Sequence, residues 1–534
     1  MAVSVAPQAS VADTVLTATV VKPGMSLWQA TMTAGGLAVD GAEVFFPSGY
    51  GVSSPPSSGA SFHGSYPSSS AAMAFMAVGD AYFASHDSQG SMKTLTATKA
   101  GTPSAALSVS MVLPGAGQTA TTTWSSPPFA IGVTNTPGTP TWYAAAMVYR
   151  QWALASAPWA QAGPISSRPD FPSWLRTTAL WSNTGWQCHD VFNDTQGAPA
   201  TVASVVPAIK ALFNQDMALH WYEFTPHTSV DTHYPDYFPA RKNFSAVVEA
   251  LLADDVYTFP YINGRIFDIN SESYKKDNGE LYVTRSATPL LDTPHTSLYQ
   301  ESYGVGATFN VADPSSQYWQ GKLTSTVEKL VNVYGTQGVY IDQVGIGAAS
   351  PTPDWTPAHA HFGGGGWWVN GQEAMVADIR KNTSAPLVTE SNAETVLHIF
   401  SGLLTLVAFN PALAESSQYL TPAFPAIYGG LFNGFGSVFT QSDFAPNPDV
   451  VAARFAAQLA YGAQLGWFSI GGQADDTCGA MATGDLWLSS EHAPEVSFVN
   501  KLTAYRKVLL PYLLDGALAA PFSLSPTPPP FSSP

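Results

Sequence analysis

The sequence predicts a (β/α)8 TIM barrel preceded by an antiparallel β-sandwich, and three observations carry that expectation. Short apolar runs alternate with helical segments from about residue 171 onward, the order of a parallel α/β domain. Two of these runs end in a carboxylate, GVYIDQVG (338–345) with Asp342 and PLVTESNAE (386–394) with Glu390. The first 140 residues differ: they are rich in Ser, Thr, Ala, Gly and Pro, and their alternating runs are separated by turn residues, as in a sandwich.

Along the chain, residues 1–140 form the sandwich, with runs such as SLWQATM, AEVFFPS, MAFMAVG, KTLTATKA and ALSVSMVL. Acids are sparse there, so it reads as a scaffold or a side wall. Residues 141–170 form a connection. Its first part sets Trp142, Met147, Val148, Trp152 and Leu154 at near-helical spacing, with Pro158 near the end, and the Pro-rich break GPISSRPDFPSWL follows.

The barrel occupies 171–515. Its expected strands are TTALWSNTG (177–185), MALHWYEF (217–224), VYTFPYING (256–264), GVYIDQVG, PLVTESNAE, LTLVAFN (404–410), a segment at AIYGG or SVFTQS, and LGWFSIGG (465–472). Helices are expected at FSAVVEALLAD, YWQGKLTSTVEKLVNVYG and NGQEAMVADIRKN, and a last one at VSFVNKLTAYRKVLLPYLLDGALA. Residues 516–534 form a Pro-rich tail, expected to be disordered or a linker stub.

Bulk properties exclude several classes. A chain of 534 residues exceeds one core, and 45% hydrophobic with 12% aromatic residues argues against wholesale disorder. The net charge of −17, with no basic stripe to offset it, repels nucleic acid. No apolar run reaches 18 residues, so no membrane span is expected. The N-terminus lacks the charged and apolar regions of a signal peptide. Sequons at Asn193, Asn243 and Asn382 would suit a secreted protein, which leaves the compartment open. Cys188 and Cys478 could pair, but they form no disulfide scaffold or zinc motif. The 15 Trp and 22 Tyr favour a carbohydrate ligand, because sugars stack on such rings.

In a barrel the carboxyl ends of all strands converge on one face, so acids placed there meet around one pocket. Two carboxylates facing each other are the minimum equipment for cutting a glycosidic bond. Asp342 and Glu390 are the expected catalytic pair, with Glu394 an alternative acid deeper in the loop. The second strand ends in Trp221, Tyr222 and Glu223, and the third in Tyr261, Asn263 and Arg265. Trp181, Trp221 and Trp367 are expected stacking platforms, and Asn392 follows the fifth strand. In the loop PTPDWTPAHAHFGGGGWWVNG the glycines would let backbone approach a ligand. His359 and His361 would hold sugar hydroxyls. A metal-dependent hydrolase built on His359, His361 and Asp342 is a further reading, and a catalytically inactive carbohydrate-binding protein another.

The stretches HWYEF, a Pro-rich lead into Arg241, FPYINGRIFD, GVYIDQVG, HAHFGGGGWWVNG and LVTESNAE resemble a glycoside-hydrolase-like family catalogued as a domain of unknown function. Its members pair an N-terminal β-sandwich with a TIM barrel. More remotely, the chain is similar to endo-α-N-acetylgalactosaminidases and the α-galactosidase clan, which place an Asp nucleophile after strand four. The resemblance implies a retaining site for α-linked sugars, with Asp342 as nucleophile and Glu390 as acid/base. It implies a carbohydrate substrate, no metal and no cofactor. Those enzymes often carry a C-terminal β-domain, whereas this chain ends soon after the barrel.

Overall fold

The computed structural model describes residues 10–520 except 20–26, 39–41, 56–60, 101–103, 117–122, 135–138, 185–197, 223, 227–230, 289–294, 304–305, 346–350, 406–417, 438–447 and 470–486. Cys188, Cys478, Asn193, Glu223 and the Pro-rich run at 525–534 lie outside the described residues.

Eight parallel strands follow one another around a barrel in chain order: Leu180–Asn183, Met217–Trp221, Val256–Asn263, Val339–Asp342, Leu387–Glu390, Gly402–Leu404, Gly434–Phe435 and Leu465–Ser469. A parallel bridge from Phe435 to Gln464 closes the ring. The strand residues are mainly apolar or aromatic and mostly buried, as a barrel wall covered by helices demands.

Two expected strands are corrected. The sixth lies at Gly402–Leu404, so the expected 404–410 shares only Leu404 with it before the described residues stop. The seventh falls between the two candidates. AIYGG belongs to the helix Ala423–Tyr428 and the turn after it, while SVFTQS begins two residues past Phe435. The physical reason is that the fifth and sixth strands are joined by a single 3-10 turn, Glu394–Val396, with no crossover helix to mark the spacing.

The sandwich strands agree with the alternating runs. A seven-stranded sheet faces a four-stranded one made of Gln29–Ala38, Ser104–Val112, Lys93–Ala100 and Phe62–Tyr66. In Ser104–Val112 every second residue is buried, because successive side chains leave a strand on opposite faces. The seventh strand of the larger sheet is Tyr419–Leu420, donated by the loop after the sixth barrel strand. No helix among the described residues is long and apolar enough to cross a membrane.

The helix Thr141–Ser156 buries Trp142, Ala145, Ala146, Tyr149 and Ala153, which repeat at helical spacing. Met147, Val148 and Trp152 are only half-buried and Leu154 is exposed, so the buried stripe is narrower and more Ala-rich than the expected one. Small residues let this helix sit close to Ala423–Tyr428, where Arg150 donates to the Ala426 and Ile427 carbonyls.

Glu394 stands where sandwich, connecting helix and barrel meet. Tyr66 and Tyr149 donate to its Oε1 at 2.7 and 2.8 Å, and Tyr428 donates to Oε2 at 2.6 Å. It is fully buried, and its backbone N–H donates to the Ala72 carbonyl. Burial pushes its carboxyl up to about 7, and the three tyrosine hydrogen bonds only partly offset that.

The folded protein therefore keeps a proton on Glu394 that an unfolded chain releases near pH 4.5. Stability from this group is complete below that pH and is lost as pH rises through about 7. Glu394→Gln removes the ionisation, so the stability gap between parent and variant should change by up to about 3 kcal/mol between about pH 5 and pH 8. Urea unfolding at both pH values measures this, and an unchanged gap would rule out the linkage.

Candidate active site

The site is built at the carboxyl ends of the third, fourth and fifth barrel strands. Ile341 pairs with Thr389 across the fourth and fifth strands, so Asp342 and Glu390 are the next residues on neighbouring strands. Parallel strands lie about 4.8 Å apart, which brings the two acids out side by side. Both side chains are half-buried, whereas the strand residues before them are buried. Gln343 and Ser391, the residues after each acid, have φ of 56° and 57°. Left-handed backbone is uncommon away from glycine, and it turns each chain sharply out of its strand just past the carboxylate.

Beneath the acids lies a floor of rings. His220 stacks on Tyr340 with centroids 3.8 Å apart, and its Nδ1 accepts from Trp467 Nε1 at 3.0 Å. Burial holds the imidazole's proton affinity well below the usual value. Tyr222 and Tyr261 pack 5.0 Å apart above it.

Asp342 Oδ2 accepts from Tyr261 Oη at 2.8 Å and from Asn263 Nδ2 at 3.3 Å. Asn263 has no freedom to flip, because its Oδ1 already accepts from the backbone N–H groups of Arg265 and Ile266. Asp231 is a third acid nearby, bonded by Tyr234 Oη at 3.0 Å and lying 3.3 Å from Tyr261 Oη.

Burial raises the proton affinity of Asp342, and the neighbouring Glu390 charge raises it further. Burial and the Asp231 charge push Glu390 up to about 7, against the pull of Arg265. Each carboxylate disfavours the charge of the other, so the two titrate as a pair. The donors Tyr261, Asn263 and Tyr340 all serve Asp342, which makes it the better home for the negative charge.

The structure gathers Asp342, Glu390, Tyr222, Tyr261 and Asn263, and it disperses other expected residues. Trp181 is fully buried inside the barrel, stacked on Phe435 at 3.9 Å with Nε1 bonded to Gln464, so it cannot present a face to a sugar. Trp221 is fully buried with its ring edge against Phe244 of the helix Phe244–Ala253, because alternate residues of a strand face opposite ways. Arg265 stays close enough for its charge to act on Glu390, but its guanidinium is held by a bidentate pair with Glu301 at 2.6 and 2.7 Å. Asn392 donates to the Gly49 carbonyl and ties the fifth-strand loop to the sandwich. Glu394, the alternative acid, is committed to its three tyrosines.

His359 and His361 face Asp354 and Asp313, and the Trp367 ring stacks on His361 at 3.6 Å. Asp342 is not among their partners. The glycine run approaches the sandwich backbone instead of a ligand: a Cβ on Gly364 would stand 2.0 Å from the Val112 carbonyl oxygen, and one on Gly363, at φ +79°, 2.5 Å from that of Leu113.

Asp231 and Tyr340 escaped the sequence reading. Tyr340 was visible as an inward residue two before Asp342. Asp231 lies in an irregular segment, THYPDYFPAR and the residues before it, where no periodicity announces which side chain turns inward.

The chain is similar to a protein of Monosiga brevicollis named "Putative glycoside hydrolase 22789", 44% identical over 95% of this chain and 44% of the relative. A protein of Bacteroides thetaiotaomicron named "Putative glycoside hydrolase" is 27% identical over 64% of this chain and 46% of its own length. The chain thus spans less than half the length of these relatives. The α-N-acetylgalactosaminidase NagBb of Bifidobacterium bifidum, in complex with GalNAc, shares the fold with a TM-score of 0.67 at 11% identity, over 92% of this chain and 78% of that one. The model of a family described as "Domain of unknown function (DUF6259)" matches residues 127–439, and the chain belongs to that family.

Proposed function

We propose that this chain is a retaining glycoside hydrolase acting on α-linked sugars, with Asp342 as nucleophile and Glu390 as acid/base. What carries this reading is the registered pair of acids: one is supplied with hydrogen-bond donors, and the other keeps its proton near neutral pH. The names of the two relatives support the reaction class. The α-linkage rests on the like-folded α-N-acetylgalactosaminidase together with the sequence resemblance.

In the first step an Asp342 oxygen bonds to the anomeric carbon as the glycosidic C–O bond breaks, and Glu390 gives its proton to the departing oxygen. In the second step water loses a proton to Glu390, and its oxygen displaces Asp342 from the same carbon. The two inversions sum to retention. Both carboxylates return to their starting states.

Asp342→Asn should reduce turnover of aryl α-glycosides to background while leaving circular dichroism and thermal unfolding unchanged. An activated fluoro-glycoside should leave a covalent sugar on the Asp342 peptide, read by mass analysis. Turnover retained in Asp342→Asn would remove that residue from the reaction. Sugar binding with no turnover in the parent on any glycoside would favour an inactive carbohydrate-binding protein.

Because Glu390 must be protonated to act, kcat/KM should fall about tenfold per pH unit above about pH 7, and it should also fall towards acid pH as the Asp342 nucleophile takes up a proton. Glu390→Gln should lower kcat/KM by about 10²- to 10⁴-fold on alkyl glycosides. It should lower it far less on dinitrophenyl glycosides, whose leaving group needs no proton, and the alkaline limb should vanish. An alkaline limb that persists in the variant would assign the acid elsewhere.

A further inference from the structure

We propose that Asp313, Asp354, His359 and His361 form a site for one divalent transition-metal ion of the Zn2+ class, joining the loop after the fourth barrel strand to the segment between the third and fourth strands. This site is separate from the acid pair and does not depend on the hydrolase reading.

Four donor atoms converge. His359 Nδ1 lies 2.6 Å from Asp354 Oδ2 and 3.5 Å from Asp313 Oδ2. His361 Nε2 lies 3.2 and 3.7 Å from the same two oxygens. The donor atoms of Asp313, His359 and His361 all fall within 4.8 Å of one another. Donors 2.0–2.2 Å from a tetrahedral ion stand about 3.3–3.6 Å apart, so among the four His–Asp approaches the His359–Asp354 one must open most to admit an ion.

The outer contacts fix which atoms face inward. His359 Nε2 lies 3.0 Å from the Leu281 carbonyl, an acceptor only, so that nitrogen carries the hydrogen. A neutral His359 then turns the lone pair of Nδ1 towards the two carboxylates. Ser315 Oγ donates to Asp313 Oδ1 at 2.7 Å and so accepts from His361 Nδ1 at 3.3 Å. That leaves the His361 Nε2 lone pair pointing the same way.

Each carboxylate also divides its oxygens. Asp313 Oδ1 takes the Ser315 N–H and hydroxyl, and Asp354 Oδ1 takes the Arg285 and Thr356 N–H groups and the Thr356 hydroxyl. Both Oδ2 atoms are left for the centre.

Two lone pairs and two anionic oxygens thus meet in a space where the side chains are no more than 10% exposed. Two imidazoles with two carboxylates suit Zn2+ in charge and geometry. The held outer nitrogens match the orienting contacts that metal-bound histidines make.

The test uses the whole chain. After loading with Zn2+ and desalting, elemental analysis should find one equivalent per chain, falling below about 0.1 in His361→Ala and Asp313→Asn. Chelation by EDTA should lower Tm by about 5 °C or more, and Zn2+ but not Mg2+ should restore it. Co2+ added to the stripped parent should give visible d–d bands that Zn2+ abolishes, a readout that needs no variant to fold. A parent that holds less than about 0.1 equivalent and gives no Co2+ bands overturns the proposal, as does full metal content in both variants.

Discussion

The constraint on which the site depends is that two neighbouring carboxylates each disfavour the charge of the other. The strand register creates that problem by delivering Asp342 and Glu390 together. The donors around Asp342 resolve it in one direction: Tyr261 and Asn263 both point at Oδ2, and Asn263 is held by backbone groups of its own turn. Hydrogen bonding thus treats two chemically similar acids unequally.

The loops around the pocket are fastened from outside. Asn392 and Glu394 tie the fifth-strand loop to the sandwich, Thr421 and Phe424 donate to the Gly51 and Tyr50 carbonyls, and the glycines at 363–366 lie against residues 89 and 112–116. Chemistry of the proposed kind needs its groups held to within fractions of an ångström, and loops gain that rigidity only from what they pack on. The sandwich, poor in acids itself, supplies it.

Much of this was legible in the chain. A period of two marked the sandwich, apolar runs ending in acids marked the fourth and fifth barrel strands, and Asp342 and Glu390 stood out for that reason. The failures share a cause. Trp181 and Trp221 have the composition of sugar platforms, but which face of a strand a residue takes depends on register around the closed ring, and both were consumed in packing. The HAHFGGGG loop was read towards a ligand because glycine permits close approach without saying to what. Its partners were Val112, Leu113, Asp313 and Asp354, some nearby and some distant in sequence, and only the tertiary fold reveals them. The sixth and seventh strands, of three and two residues, are too short to carry a period.

The edge strand Tyr419–Leu420 has a bearing on biosynthesis. It pairs with Val52 and Ser53, so the N-terminal sheet waits about 370 residues for its last member. During translation that sheet emerges early with one flank unprotected, and open flanks invite pairing with other chains. A ribosome must add those intervening residues before the loop of the sixth barrel strand can seal that flank.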